Sequence, residues 1–203
     1  MSSQAAGGRV QRHKLVDRIY HWAMAASILT LMATSFLPII GWKFEWLAIH
    51  WITGLVLTVL VAFHIIRSLF FQKIRDMVPD GQNIASLGME AKTGKYNLAQ
   101  KLYHLAVAVL ILCAIGTGLT MVRKIDTPFW RRDATWFSDH GWGIIYSTHD
   151  FAAMALITLV MIHVYFALRP DEWHLTRSML RGWMTRKEYQ DHFDPKRWPA
   201  SDE

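Results

Sequence analysis

Four long apolar stretches alternate with polar, charged segments along this chain of 203 residues. They run from about residue 19 to 40, 46 to 71, 98 to 122 and 144 to 168, and the last one stops before Pro170, which cannot continue a helix. A hydrocarbon core about 30 Å thick requires roughly 20 apolar residues of helix, so each stretch can cross a membrane. The pattern predicts an all-α fold, an integral membrane four-helix bundle forming one domain over residues 1–203.

The segments that connect these spans differ in composition. Residues 73–97 contain Pro79, Gly81, Gly88 and Gly94, which favour a loop or short interfacial structure. Residues 123–143 are rich in Trp and in charge, which is typical of an extracytoplasmic loop at the membrane surface. Residues 170–203 form a predicted cytoplasmic tail, in which EWHLTRSMLRGWMTRKEY could be an amphipathic helix on the inner surface or a solvated segment.

The distribution of basic residues predicts the orientation. Of the 22 Lys and Arg residues, 17 fall in the N-terminal segment, the 67–101 connection and the segment from Arg169 onwards, which all lie on one side of the predicted membrane. The positive-inside rule then places both termini on the cytoplasmic side of the membrane. The net charge of +6 is therefore a topology signal, and nucleic acid is a poor interpretation of it. The N-terminal residues do not have the pattern of a secretory signal peptide.

The cysteine content excludes two kinds of covalent bond. The single Cys113 excludes an intramolecular disulfide, and the sequence has no CxxCH motif for covalent haem attachment. Histidine is instead abundant, and ionisable residues within a span are functional candidates by default, although a single one is more often a packing residue. The histidines within the predicted spans are His21, His50, His64, His104, His149 and His163.

Two pairs of these histidines have the same spacing, since His50 and His64, like His149 and His163, are 14 residues apart. Fourteen residues of helix turn through about 1400°, close to four full turns, and rise about 21 Å. Two such helices facing each other would bind two stacked haems through axial imidazoles, and two axial histidines suit electron transfer. Spacing alone pairs His50 with His149 and His64 with His163, leaving His21 and His104 as interfacial residues.

Several motifs carry a family resemblance. LVDRIYHW (15–22), IHWITG (49–54), GKYNLAQK (94–101) and SMLRGWMTRKEYQDHFDPKRW (178–198) occur in order along the chain, with His149 and His163 between the last two. This combination resembles the cytochrome b (gamma) subunit of respiratory formate dehydrogenases, within the group of b-type cytochromes of nickel–iron hydrogenases and thiosulfate reductases.

The resemblance implies two haem b groups, the outer one bound by His50 and His149 and the inner one by His21 and His163. His64, which the spacing favours, remains the alternative inner ligand. Arg18, one turn before His21, is a candidate partner of a haem propionate, and a positive-inside anchor is the other interpretation.

The resemblance also implies a site for a quinone, either menaquinone or ubiquinone, at Asn97 and Gln100. An amide can donate a hydrogen bond to a quinone carbonyl, and the alternative is that Asn97 caps a helix. Ala99 stands where the family usually has glycine. The implied partners are an iron–sulfur subunit and a molybdenum or tungsten catalytic subunit, in a complex that could form a larger oligomer.

Two other functions remain open from the sequence. One is a stand-alone quinone oxidoreductase similar to cytochrome b561, with no partner subunits. The other is a non-redox membrane anchor or transporter whose histidines relay protons. The chain itself contains no recognisable substrate site for a catalytic subunit.

Overall fold

Four long helices dominate the computed structural model, which describes residues 8–71, 77–79 and 92–199. They are α1 (Leu15–Phe36), α2 (Trp46–Phe71), α3 (Leu98–Met121) and α4 (Asp139–Leu168). Each is long and apolar enough to cross a membrane, and α3 continues as a short 3-10 turn at Val122–Lys124. The prediction of an all-α, multi-pass membrane protein with four spans is confirmed.

Two spans begin earlier than their apolar residues predicted. Helix α1 starts at Leu15 because Asp17, in its first turn, accepts a hydrogen bond from the Lys14 N–H at 3.1 Å. Helix α4 starts at Asp139, where the Ser138 hydroxyl accepts one from the Gly141 N–H at 3.2 Å. Residues 139–143 therefore belong to a helix and not to the predicted loop. Counting apolar residues misses a polar first turn.

The chain divides into two compact units. The terminal unit comprises Met1–Trp22, Ser68–Leu105 and Met161–Glu203, and the central unit comprises Ala23–Arg67 and Ala106–Val160. Both units contain parts of the long helices. His21 and His163 belong to the terminal unit, whereas His50 and His149 belong to the central unit.

A two-stranded sheet joins the ends of the chain within the terminal unit. Strand β1 (Arg9–Gln11) pairs antiparallel with β2 (Trp183–Thr185), so that Val10 lies opposite Met184. A small core forms around this pair, and its buried members are Val10, Met184, Tyr189 and Phe193. The sequence patterns did not predict this sheet.

The stretch predicted as an amphipathic helix or a solvated segment contains two short helices separated by a strand. Helix α5 (Trp173–Arg181) ends at Gly182, whose φ of +94° suits glycine, and β2 follows. Thr185 and Glu188 then form a reciprocal capping box that starts α6 (Arg186–His192). A Cβ at position 182 would lie 3.0 Å from the His13 carbonyl oxygen, so the turn also requires glycine for close contact with the N-terminal segment.

The structure describes only part of the connection between α2 and α3, but all of the connection between α3 and α4. Residues 73–76 and 80–91 of the predicted 73–97 loop lie outside the described residues. The other connection is held by its tryptophans: the Trp130 indole donates to the Val122 carbonyl at 3.3 Å, and the Trp142 indole to that of Ala134 at 2.8 Å.

Candidate functional site

The first histidine pair lies within the central unit. His50 is in the second turn of α2 and His149 is in the third turn of α4. Their imidazole centroids are 6.4 Å apart, with an angle of 68° between the ring planes. Both rings are half-buried among apolar residues. The two rings paired by both spacing and resemblance therefore lie opposite each other across a short gap, with their planes steeply inclined.

A threonine of the neighbouring helix contacts His50. The Thr34 hydroxyl oxygen on α1 lies 2.9 Å from the His50 Nδ1 atom. The same hydroxyl also lies 2.9 Å from the Thr30 carbonyl oxygen and 3.0 Å from that of Leu31. A hydroxyl carries one hydrogen, which one of these carbonyls can accept, and its oxygen can at the same time accept from His50 Nδ1–H. In that tautomer, which satisfies both contacts, Nε2 keeps its lone pair.

The same arrangement occurs at His149. The Thr117 hydroxyl oxygen on α3 lies 2.9 Å from the His149 Nδ1 atom, 2.7 Å from the Cys113 carbonyl oxygen and 3.1 Å from that of Ala114. Helix α3 approaches closely here, because a Cβ at Gly118 would lie 3.3 Å from the His149 Cε1 atom. The Thr117 oxygen is therefore placed to accept from His149 Nδ1–H in the tautomer whose Nε2 can bind a metal.

The second histidine pair lies within the terminal unit. The imidazole centroids of His21 on α1 and His163 on α4 are 6.2 Å apart, with an angle of 56° between the ring planes. Tyr103 on α3 stacks on His163 at 5.7 Å, and Trp22 contacts His21 edge-on at 5.3 Å. The structure thus places His21 beside His163, as the resemblance implied. His64 and His104 are both half-buried, on α2 and α3 respectively, and the role of His64 as an alternative ligand stays a prediction.

Both separations fit a metal bound between two imidazoles. Metal–nitrogen bonds of roughly 2.0 Å, with each nitrogen about 1.1 Å from its ring centroid, place two in-line centroids roughly 6 Å apart. No group of three or more His, Cys, Asp or Glu side chains among the described residues could hold a metal ion. Two imidazoles alone suit a metal whose other positions a macrocycle fills, which is the axial ligation of haem. A Cβ at Gly54, one turn after His50, would meet nothing within 4 Å, so space exists beside that ligand.

Asn97 and Gln100 cap the start of α3. The Gln100 N–H donates to the Asn97 side-chain oxygen at 2.8 Å, and the Asn97 N–H donates to that of Gln100 at 3.0 Å. This reciprocal arrangement is a capping box, so the capping role considered for Asn97 is present. Both bonds use side-chain oxygens, and the cap does not consume the amide NH2 groups that a quinone carbonyl would need.

Arg18 binds the end of helix α5. Its guanidinium donates to the carbonyl oxygen of Met179 at 3.2 Å and to that of Leu180. Positive groups at a helix C-terminus satisfy its last carbonyls and interact favourably with the helix dipole. Arg18 therefore ties the start of α1 to the tail, a contact that the sequence patterns did not predict. Its predicted pairing with a propionate stays a prediction.

Two further basic groups lie close to the segment before Asn97. Arg12 is 5% exposed and donates to the Lys95 carbonyl oxygen at 2.9 Å. Burial lowers the pKa of Arg12 to about 10, so the guanidinium remains charged at neutral pH. Burial, followed by the charges of Arg12 and Lys95, lowers the pKa of His13 to about 3, so this imidazole is neutral there.

Sequence reasoning missed four residues that contact the histidine rings, namely Trp22, Thr34, Tyr103 and Thr117. The sequence did contain a signal for the threonines. Both lie near the C-terminal ends of their helices, whereas His50 and His149 lie near the N-terminal ends of the next ones. Consecutive spans run in opposite directions, so these positions share one level of the membrane.

Four spans with two facing imidazole pairs define the class of protein as a membrane cytochrome b. Comparison with known sequences gives the family: the family model of prokaryotic cytochrome b561 matches residues 12–182, and the chain belongs to that family. It is 26% identical to the cytochrome b556(fdo) subunit of formate dehydrogenase from Escherichia coli K12, over 90% of this chain and 89% of that protein. It is 27% identical to the formate dehydrogenase cytochrome b556 subunit of Haemophilus influenzae, over 91% of this chain and 80% of that protein.

Proposed function

We propose that this chain is the di-haem b membrane subunit of a formate dehydrogenase-like respiratory oxidoreductase. It carries electrons between an extracytoplasmic catalytic partner and the quinone pool. The observation that carries the proposal is the presence of two facing imidazole pairs, at 6.4 Å and 6.2 Å, in a four-span chain. Membership of a cytochrome family supports it.

Each pair has a defined role in this proposal. His50 and His149 hold the outer haem b, and His21 and His163 hold the inner one. Haem b would supply reversible one-electron chemistry at each pair, and ligation by two imidazoles would suit electron transfer and not oxygen binding. The residues of this chain fix the ligand positions, keep Nε2 of the outer pair unprotonated and exclude water with the surrounding apolar side chains. Arg18, which has five N–H donors, has hydrogen atoms left for a propionate.

The quinone binds at the start of α3. Asn97 and Gln100 donate hydrogen bonds from their amide groups to a carbonyl of menaquinone or ubiquinone. The capping box supports this role because it fixes both side chains through their oxygens and directs their nitrogens elsewhere. With the N-terminus in the cytoplasm, the site lies on the cytoplasmic side, from which quinone reduction takes its protons.

The partners are an iron–sulfur subunit and a molybdenum or tungsten catalytic subunit, in the bacterial inner membrane. The two relatives named above are subunits of formate dehydrogenases, which supports this assignment. A stand-alone quinone oxidoreductase is the second candidate, because the matching family model is that of cytochrome b561. Purification of the native complex separates the two: co-purifying iron–sulfur and molybdenum or tungsten subunits support the first, and an isolated cytochrome supports the second.

Haem content tests the proposal directly. We expect the purified full chain to show b-type bands in its reduced-minus-oxidised spectrum and two haems per chain. His50→Ala or His149→Ala removes one haem, and His21→Ala or His163→Ala removes the other. His140→Ala is the control, because this residue is exposed in the first turn of α4.

Other outcomes would contradict specific parts of the proposal. Absence of b-type bands would rule out a cytochrome and favour a membrane anchor or transporter. One haem per chain would rule out the two-haem arrangement. Loss of the inner haem in His64→Ala but not in His21→Ala would show that His64 is the ligand opposite His163.

A further inference from the structure

We infer that Thr34 and Thr117 are positioning residues for the outer haem, and that they fix the tautomer of its two ligands and lower its midpoint potential. The inference rests on the proposed di-haem function. It concerns one of the two sites only, and this restriction makes it testable within a single protein.

The threonine contacts suit one tautomer of each ligand. Each threonine hydroxyl lies between 2.7 and 3.1 Å from carbonyl oxygens of its own helix, which can accept its only hydrogen. Its oxygen is then placed to accept from Nδ1–H, with 2.9 Å between the two atoms. In the opposite tautomer the hydroxyl would have to give up those carbonyls and donate to Nδ1 instead. In the tautomer that satisfies both contacts, Nε2 keeps the lone pair that would bind iron.

The contact comes from a different helix in each case. Thr34 of α1 holds His50 of α2, and Thr117 of α3 holds His149 of α4. Thr34 is 3% exposed, so its hydrogen bond is shielded from water. A hydrogen bond in such surroundings is stronger than one in water, and it increases the basicity of the ligating nitrogen. A more basic ligand stabilises the ferric state and therefore lowers the potential.

The inner pair, His21 and His163, has no such threonine hydrogen bond among the described residues. The described contacts of His21 and His163 are ring contacts with each other, with Trp22 and with Tyr103. Among the described residues, no hydrogen bond reaches either of these imidazoles. Removal of the threonine hydroxyls should therefore alter the outer haem and leave the inner one unchanged.

The test uses variants of the full chain in its native complex. Thr34→Val and Thr117→Val keep the side-chain shape and remove the hydroxyl, whereas Thr34→Ser and Thr117→Ser keep the hydroxyl. Thr120→Val is the matched control, because Thr120 donates to the Gly116 carbonyl at 2.8 Å without contacting a histidine in the described part of the chain. Redox titration and electron paramagnetic resonance of the ferric protein resolve the two haems.

We expect each valine variant to raise the midpoint potential of the outer haem and to shift its resonance signature, with a larger shift in the double variant. Loss of the outer haem in the valine variants, with retention in the serine variants, would equally support the inference. The serine variants and Thr120→Val should resemble the wild type, and the inner haem should keep its potential in every variant.

Three outcomes would overturn the inference. These are unchanged potentials and signatures in both valine variants, an equal shift at both haems, and the same effect in Thr120→Val or in the serine variants. The wild-type protein separates this failure from failure of the proposed function. If it binds two b-type haems while the threonine variants change nothing, the function stands and only the role of the threonines is wrong.

Discussion

Helix α3 can approach His149 closely because residue 118 is glycine, which has a hydrogen atom in place of a Cβ. Gly118 follows Thr117 directly, and a Cβ there would lie 3.3 Å from Cε1 and 3.8 Å from Nδ1 of His149. The first of these distances is tighter than an ordinary van der Waals contact, so the imidazole would have to move. Glycine at this position therefore belongs to the same ligand-positioning arrangement as the threonine beside it.

We predict that Gly118→Ala displaces the His149 imidazole by a few tenths of an ångström and costs about 1–3 kcal/mol, as overpacking typically does. The outer haem should be bound less tightly and lost at a lower temperature, which its visible absorption during heating measures. Gly116→Ala is the control, because a Cβ at position 116 on the same helix would meet nothing within 4 Å. If both variants lose the outer haem equally, the cause is a change in helix α3 and not the contact between position 118 and the His149 imidazole.

The sequence alone identified the histidines but not every pairing. The 14-residue spacing placed His149 and His163 on one face of α4, and it paired His50 with His149, whose rings do face each other in the structure. For His163 the spacing chose His64, whereas the structure places the ring of His21 opposite. The spacing of histidines along α2 and α4 carries no information about α1. The family resemblance of the RIYHW motif indicated His21 as the partner of His163.

At the scale of elements, the start of α3 combines a structural and a proposed functional role in the same two side chains. Asn97 and Gln100 cap the helix through their oxygens. Their proposed contact with quinone uses their nitrogens. Substitutions that retain an acceptor oxygen but remove the NH2 donor separate the two roles.

We predict that Asn97→Asp and Gln100→Glu leave helix α3 intact, because aspartate is a favoured N-cap and glutamate a favoured third residue of a capping box. Each should raise the KM for quinone severalfold, through loss of a hydrogen bond worth about 1 kcal/mol. Steady-state kinetics of quinone reduction measure this, and the haem spectrum checks the fold. Asn97→Ala should destabilise the helix start by about 1 kcal/mol in addition. An unchanged KM for quinone in the aspartate and glutamate variants would show that Asn97 and Gln100 only cap the helix.

The sequence patterns predicted the ends of the helices less accurately than their existence. Apolar runs located all four spans, but they placed the start of α4 five residues late, because its first five residues include Gly141, Gly143 and polar side chains. The tail is the clearer case. Strand β2 consists of three residues whose partner, β1, is more than 170 positions earlier in the chain. No local periodicity encodes a pairing of that range, so the ordered terminal unit could not be predicted.

At the scale of the whole molecule, the pairing of β1 with β2 requires both ends of the chain to lie on the same side of the membrane, as the charge count suggested. Residues 9–11 and 183–185 are hydrogen-bonded to each other and must lie on the same side of the membrane. An even number of spans between them requires the same. Sidedness itself rests on the charges, since 17 of the 22 basic residues share that side.

We predict that this side is the cytoplasm, and single cysteines introduced into a Cys113→Ala background can test it. Arg131 lies in the connection between α3 and α4, Lys187 lies in α6, and both are exposed. A membrane-impermeant maleimide should label Arg131→Cys in intact spheroplasts, and it should label Lys187→Cys only after permeabilisation. The unmodified chain is the control, because Cys113 lies within a span and should resist the reagent in both conditions. The reverse labelling pattern would invert the topology, and it would place the proposed quinone site on the same side as the catalytic partner.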